Sequence, residues 1–196
     1  MTSILKADNI QDTDGNNIIN ESGNTITIGA SGDTTNIIGT LQNDGAAVAN
    51  TPAFEAYLSA NQTGISANSA TKVQFDTEVY DTDSAYDNST NYRFTPQVAG
   101  KYFVYAGIAG DANASSNLTH MNMYIYKNGS LYRYIEQDFR NNQGFRFTAQ
   151  GNATIDMNGT SDYIEIYGVI DFLSGTADFN ENTKNTYFGA YKIIGA

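Results

Sequence analysis

The chain predicts an all-β fold, an antiparallel β-sandwich, and three observations predict it. The stretch Tyr92-Arg93-Phe94-Thr95-Pro96-Gln97-Val98-Ala99-Gly100-Lys101-Tyr102-Phe103-Val104-Tyr105 couples a strand, a break and a second, aromatic strand. Pro96 cannot donate to a ladder, Gly100 tolerates backbone that other residues avoid, and the aromatic run favours a pleated, half-buried surface. Apolar and polar residues alternate with a period of two: Met121, Met123 and Ile125 against Asn122, Tyr124 and Tyr126, and Ile164 and Ile166 around Glu165. No long helical period competes with this alternation.

Taken in order, residues 1–50 differ from residues 51–196. Glycine, asparagine, threonine and isoleucine dominate the first region, and no aromatic residue precedes Phe54. A loose repeat runs through Gly15-Asn16-Asn17-Ile18-Ile19, Gly23-Asn24-Thr25-Ile26-Thr27-Ile28 and Gly32-Asp33-Thr34-Thr35-Asn36-Ile37-Ile38. Short β-segments joined by glycine turns fit it, forming a repetitive β-rich shaft or anchor; a polar segment that stays unfolded is the alternative. Its large aliphatic residues, among them Ile4, Leu5, Ile10 and Leu41, are too few for one ribbon to shelter by itself. Ile18, Ile19, Ile26, Ile28, Ile37 and Ile38 are therefore candidates for a core shared between three chains, or for docking onto a different protein.

In the second region, Ala109 to Asn117 reads as a polar loop between strands. His120 opens the alternating strand 120–126, Asn128-Gly129 reads as a hairpin turn, and Phe145 and Phe147 flank Arg146 in strand fashion. Ile155 and Met157 alternate with Asp156 near the end of the chain.

In sequence order these pieces resemble the globular head of C1q, a member of the jelly rolls related to C1q and tumour necrosis factor. The resemblance covers residues 52–196. It rests on the 92–105 stretch, on Pro52-Ala53-Phe54-Glu55-Ala56-Tyr57 as an opening strand, and on Val73-Gln74-Phe75-Asp76 as the next. Lys127-Asn128-Gly129, Asn152 to Met157, Asp162 to Ile166 and Tyr187-Phe188-Gly189-Ala190-Tyr191 complete it. Its signature positions here are Phe54, Phe75, Phe94, Pro96, Gly100, Tyr102, Gly129, Phe188 and Gly189. The resemblance implies three heads packed about a three-fold axis. The family's frequent signature cysteine and its collagen stalk are both missing, so the activities of animal members do not carry over with the fold.

Composition bounds the function. The 196 residues carry 21 Asp and Glu against 10 Lys and Arg, a formal net charge of -11, and no basic cluster. An acidic shell repels phosphates, which excludes nucleic acid as the expected partner. With no cysteine, thiol chemistry and cysteine metal sites are excluded, and folding in a reducing cytoplasm is allowed. No apolar run of about 18 residues and no signal-like N-terminus is found, so a soluble chain without membrane insertion is expected. Asn-x-Ser/Thr at Asn88 and Asn117 is accounted for by the abundance of asparagine.

His120 is the only histidine, and with no second imidazole or thiol its expected role is structural or superficial. No enzyme activity and no cofactor are predicted; a glycosidase would need two carboxylates held across a cleft, which strand spacing does not establish. In the acidic loop 81–88, Asp81, Asp83 and Asp87 offer oxygen ligands to calcium, but the loop lacks the central glycine and distal glutamate of the helix-loop-helix motif. Tyr124, Tyr126, Tyr132 and Tyr134 alternate on neighbouring strands and predict a cross-strand patch, for ligand recognition, subunit contact or strand packing.

The opening Ser3-Ile4-Leu5-Lys6-Ala7-Asp8-Asn9-Ile10, followed by the glycine-asparagine-isoleucine repeats, resembles the starts of structural proteins in marine bacteriophages. The general plan is similar to virion appendages of tailed phages. The expected function is a homotrimeric fibre or knob, assembled in the host cytoplasm, anchored to another virion protein and directed at a host-surface glycan or protein. A capsid decoration or vertex protein, and a cellular carbohydrate- or protein-binding module, are the alternatives.

Overall fold

Ladder pairing converts most of this alternation into strands. The computed structural model describes residues 9–11, 13, 17–22, 25–29, 32–39, 41–43 and 46–194, and the chain divides into two units, Met1–Val48 and Ala49–Ala196. The expectations placed on residues 3–8, on Gly15 and Gly23 and on the Ile18 side chain lie outside the described residues.

In the first unit, β1 (Asn9–Gln11), β2 (Asn17–Ser22) and β3 (Thr25–Ile28) form an antiparallel sheet in that order, and β4 (Gln42–Asn43) pairs with β5 (Ala46–Ala47). Register aligns Ile10 with Ile19 and Ile19 with Ile28, while Ile26 faces Glu21. Residues opposed across a ladder share a face, and so do residues two apart, so Ile10, Ile19, Ile26 and Ile28 make one apolar stripe. The stripe is uncovered in the single chain: Ile26 is 68% and Ile28 56% exposed. The third repeat departs from expectation. Residues 34–38 are not in a strand, since a strand exists only through its ladder, and Ile38 is left 95% exposed.

The second unit contains β6 (Ala53–Tyr57), β7 (Gln62–Ile65), β8 (Thr71–Lys72), β9 (Thr77–Asp81), β10 (Tyr86–Asp87) and β11 (Arg93–Phe94). After them come β12 (Gly100–Asp111), β13 (Leu118–Lys127), β14 (Ser130–Asp138), β15 (Arg146–Met157), β16 (Ile164–Phe172), β17 (Ala177–Asn180) and β18 (Tyr187–Lys192). One antiparallel sheet has the order β10-β11-β16-β13-β14, with β8 also on β16. In the other, β7-β17-β12-β18-β6-β9, β12 pairs with β15 along one side and with β18 and then β17 along the other. The chain thus builds a two-sheet sandwich in which sequence neighbours repeatedly fall in opposite sheets.

The inward faces close on a single core. Phe54 stacks on Tyr86 at 4.5 Å and on Phe94 at 4.6 Å, and meets the edge of Phe188 at 4.8 Å. Phe54, Phe75, Phe94, Tyr102 and Phe188 are all fully buried, and Pro96 is buried beside them. Each buried aromatic ring contributes about 1.5–3 kcal/mol of apolar burial. The two buried phenols satisfy their hydroxyls on backbone: Tyr86 donates to Phe75 O at 3.0 Å and Tyr102 to Val98 O at 2.8 Å. Burial pushes the Tyr102 phenol up to about 12. At the β13–β14 hairpin Asn128 and Gly129 have φ of 53° and 73°, the paired positive values that a two-residue turn demands.

Two strand boundaries differ from the sequence expectation. Residues 73–76 form no strand: the Val73 N–H still donates to Ile166 O at 3.0 Å, but β8 before them belongs to one sheet and β9 after them to the other. The crossing still buries Val73 and Phe75. Ala109 to Asp111 continue β12 instead of starting a loop. Gly110 marks a close approach there: a Cβ on it would lie 2.8 Å from Met121 Sδ.

Candidate recognition and assembly surfaces

The outward face of the sheet containing β13, β14 and β16 carries three of the four predicted tyrosines. Tyr124 lies opposite Tyr134 on β14 and Tyr167 on β16. Its ring is 6.3 Å from both Tyr134 (edge to face) and Tyr126, and Tyr126 is 4.6 Å from Tyr167. Tyr167 was not singled out from sequence, although its alternation with Ile166 placed it outward. Lys72 stands 5.7 Å over the Tyr167 ring and forms an ion pair with Glu165.

Tyr132 does not join this patch. The register shifts between Ile125 and Tyr126, and the extra residue turns Tyr132 toward the neighbouring sheet edge. Its hydroxyl donates to Thr154 O at 3.0 Å, Arg133 Nη1 to Asn152 O at 2.7 Å and Lys127 Nζ to Asp156 O at 2.6 Å. These side chains occupy carbonyls of β15, which among the described residues pairs only with β12, at the rim of its sheet.

A second aromatic face, not foreseen as such, lies outward on the β12–β18–β6–β9 sheet. Tyr102, Val104 and Ala106 point inward, so Phe103 and Tyr105 point outward, joined by Tyr187 and Tyr191 of β18. Phe103 is 5.5 Å from Tyr191 and 6.2 Å from Tyr105, and Tyr105 is 6.2 Å from Tyr187. Two glycines let these rings lie down. A Cβ on Gly189 would sit 2.4 Å from the Tyr105 ring and one on Gly107 2.7 Å from Tyr187. Tyr105 donates to Glu55 Oε2 at 2.9 Å; burial first, then that bond, pushes its phenol above the usual range. The result is a flat apolar sheet face bordered by hydroxyls, suited to contact with another protein surface.

The acidic loop spends its carboxylates on its own backbone. Asp81 accepts from the N–H groups of Ala85 (3.1 Å) and Tyr86 (2.9 Å), and Asp83 accepts from the Thr82 hydroxyl. Asp87 accepts from N–H groups of Ser89 (3.1 Å), Thr90 (2.9 Å) and Asn91 (3.1 Å), and from Asn91 Nδ2 (2.7 Å). Asp81, Asp83 and Asp87 are not brought together: among the described residues no three His, Asp or Glu side chains are placed to hold a metal ion.

The hydrogen bonds to Asp87, that from Thr90 foremost, hold its carboxyl well below the ordinary aspartate range. A carboxyl depressed in the folded state contributes stability that is complete above about pH 4 and is lost as pH falls toward the folded value. Asp87→Ala is therefore expected to cost about 1 kcal/mol at neutral pH, the scale of a net hydrogen-bond contribution. Urea midpoints measured from pH 7 down to about pH 2 should fall less steeply for the variant than for the wild type. Equal slopes would show that this loop does not govern the acid response.

Two comparisons find nothing: no protein-family model and no curated protein matches the chain. Solved structures do match. The globular domain of zebrafish complement 1qA superposes with a TM-score of 0.50 at 15% identity, over 74% of this chain and 98% of that one. Murine APRIL matches with a TM-score of 0.53 at 9% identity, over 72% and 98%. Eiger TNF from S. frugiperda matches with a TM-score of 0.50 at 11% identity, over 76% and 96%. The chain carries a C1q/TNF-type jelly roll. At these identities the likeness concerns fold. The jelly roll keeps the predicted aromatic signature inside and leaves the two outward tyrosine-bearing faces for whatever the head contacts.

Proposed function

We propose that this protein is a homotrimeric appendage of a tailed-bacteriophage virion, a short fibre or knob. Its jelly-roll head faces the host surface, and residues 1–50 fasten it to another virion structural protein. The observation that carries this reading is the Ile10–Ile19–Ile28 ladder, extended by Ile26, which one chain leaves uncovered. Exposed isoleucine on a thin sheet is stabilised when further chains cover it, and three copies around one axis convert the stripes into a shared core. The flat face of Phe103, Tyr105, Tyr187 and Tyr191 gives the heads a matching contact. The glycine-asparagine-isoleucine composition of the opening region supplies the resemblance to phage structural proteins. Binding, not catalysis, suits a chain with a single histidine and no cysteine.

The second reading is a capsid decoration or vertex protein with the same head and a mainly structural task. Labelling the C-terminus on purified particles for electron microscopy separates the two. Tail-proximal label that disappears together with host adsorption supports the fibre or knob. Label over the capsid with normal adsorption supports decoration, and particles without label leave a cellular recognition module sharing the same head.

The anchor has its own test. Ile26→Asn with Ile28→Asn is expected to expose residues 1–50 to limited proteolysis while the head keeps its melting transition. Unchanged protease resistance of that region would count against a shared isoleucine core.

A further inference from the structure

Three versions of one pattern lie in residues 15–38, and two of them lead into strands. Gly15-Asn16-Asn17-Ile18-Ile19 runs into β2 and Gly23-Asn24-Thr25-Ile26-Thr27-Ile28 into β3. The third, Gly32-Asp33-Thr34-Thr35-Asn36-Ile37-Ile38, has the same glycine start and aliphatic end, yet residues 34–38 are not in a strand. β-Branched residues hold four of its last five positions, the class that packs best on a pleated surface. All five are exposed, Ile37 and Ile38 included.

A segment with strand preference and exposed isoleucines is completed by a ladder, and the sheet beside it offers one. β3 ends the order β1-β2-β3 and pairs with β2 along one side, so among the described residues its other side is a sheet edge. Edges are ordinarily protected by lysine, proline, a bulge or an inward charge. Thr25-Ile26-Thr27-Ile28 carries none of these, and its register with β2 runs without a shift. β1, at the opposite end of the sheet, is three residues long and its register shifts between Ile10 and Gln11, which blunts that edge.

Register decides whose segment fits. A Cβ on Gly29, whose φ is 84°, would stand 3.2 Å from Asp33 Cβ, so Asp33 lies against Gly29. A hairpin continued from that contact would set Thr34 opposite Ile28 and Asn36 opposite Ile26, two polar residues on the face of the isoleucine stripe. Sliding by one residue turns Thr35 and Ile37 to that face and Asn36 away from it. Within one chain the contact between Gly29 and Asp33 opposes the slide, whereas a segment arriving from another copy is free to take it.

We propose that residues 34–38 of one copy add as a fourth strand to the β3 edge of a neighbouring copy, antiparallel, with Ile37 opposite Ile26 and Asn36 opposite Thr27. Antiparallel pairing continues the two ladders already in the sheet and is the more stable kind per residue. Each copy gives one segment and receives one, a head-to-tail contact that closes when the rotation returns to the first copy. The inference rests on the multi-copy reading of residues 1–50 and names the segment that joins the copies.

The test exploits a chain without cysteine. Thr27→Cys combined with Asn36→Cys introduces two thiols at exposed positions that stand opposite each other across the new ladder. Oxidation of the 196-residue double variant should give disulfide-linked species of two and three chain masses on a non-reducing gel, with no more than a trace from either single variant. Hydrogen exchange of the wild type needs no substitution. Alternate amides within residues 34–38 should exchange about tenfold more slowly in assembled than in diluted protein. A disulfide confined to one chain mass would place the segment on its own β3 and overturn the proposal, as would free thiols together with unprotected amides. Native mass spectrometry and the position on particles separate this claim from the assembly and appendage readings. Three chain masses with free thiols and fast exchange keep the trimer and overturn the strand transfer, whereas cross-linked copies of a protein absent from virions keep the strand transfer and overturn the appendage.

Discussion

Replacing Phe54 with Ala is expected to bring the head close to unfolding. This ring is fully buried and lies at the centre of four others, stacked on Tyr86 and Phe94, edge-on to Phe188, with Phe75 beyond. Its strand, β6, lies between β18 and β9, so the backbone cannot readily collapse into the vacated space. Removing a buried phenylalanine costs about 3–5 kcal/mol, a large part of the roughly 5–15 kcal/mol that holds a domain folded. A fall in melting temperature of about 10 °C or more should follow for a domain of this size. The measurement is thermal denaturation by circular dichroism, with urea midpoints as a second scale. A cost below about 1 kcal/mol would show that the stacked cluster is not the keystone of the core.

The second large effect concerns assembly. Phe103→Asp combined with Tyr191→Asp should leave each head folded but separate the copies. Both side chains point away from the core, so the single chain can hydrate the new carboxylates. In an assembled face the same carboxylates would be taken from water without partners, which is strongly unfavourable. A loss of about 3 kcal/mol of association energy raises the dissociation constant by roughly a hundredfold. Sedimentation at matched concentration, with circular dichroism to confirm folding, reads the outcome. If the double variant sediments as the wild type does, the aromatic face is not where the heads meet.

Much of the jelly roll was legible because its core announces itself by period. Phe54, Phe94, Tyr102 and Phe188 sit in short alternating runs, and the inside of a sandwich demands that alternation. Gly129 was legible for a different reason, since a two-residue hairpin needs positive φ. The misassigned segments share a cause: composition reports local preference, whereas a strand exists by virtue of its partner. Val73 and Phe75 are as apolar as strand residues but cross between sheets. Ala109-Gly110-Asp111 looks like a loop, yet its small residues serve close packing against Met121. Residues 34–38 repeat the pattern of β3 without forming a strand.

The surfaces were half legible. Alternation put Tyr124, Tyr126 and Tyr134 on one face correctly, but a one-residue bulge took Tyr132 out of it, and bulges leave little trace in a single sequence. Which side of β12 is buried could not be read from Tyr102-Phe103-Val104-Tyr105, because both sets of alternate residues are apolar or aromatic. Only the pairing with β18 and the glycines beneath the rings identify the outer set. Asn122 looked like an ordinary solvent-facing residue, and its burial follows from neighbours that lie far away in sequence.

Further copies of this chain are expected to cover the apolar surfaces that one copy leaves open. Native mass spectrometry of the protein in dilute solution, paired with limited proteolysis, decides this. A species of three chain masses in which residues 1–50 resist cleavage is expected. A species of one chain mass whose first fifty residues are equally resistant would overturn it.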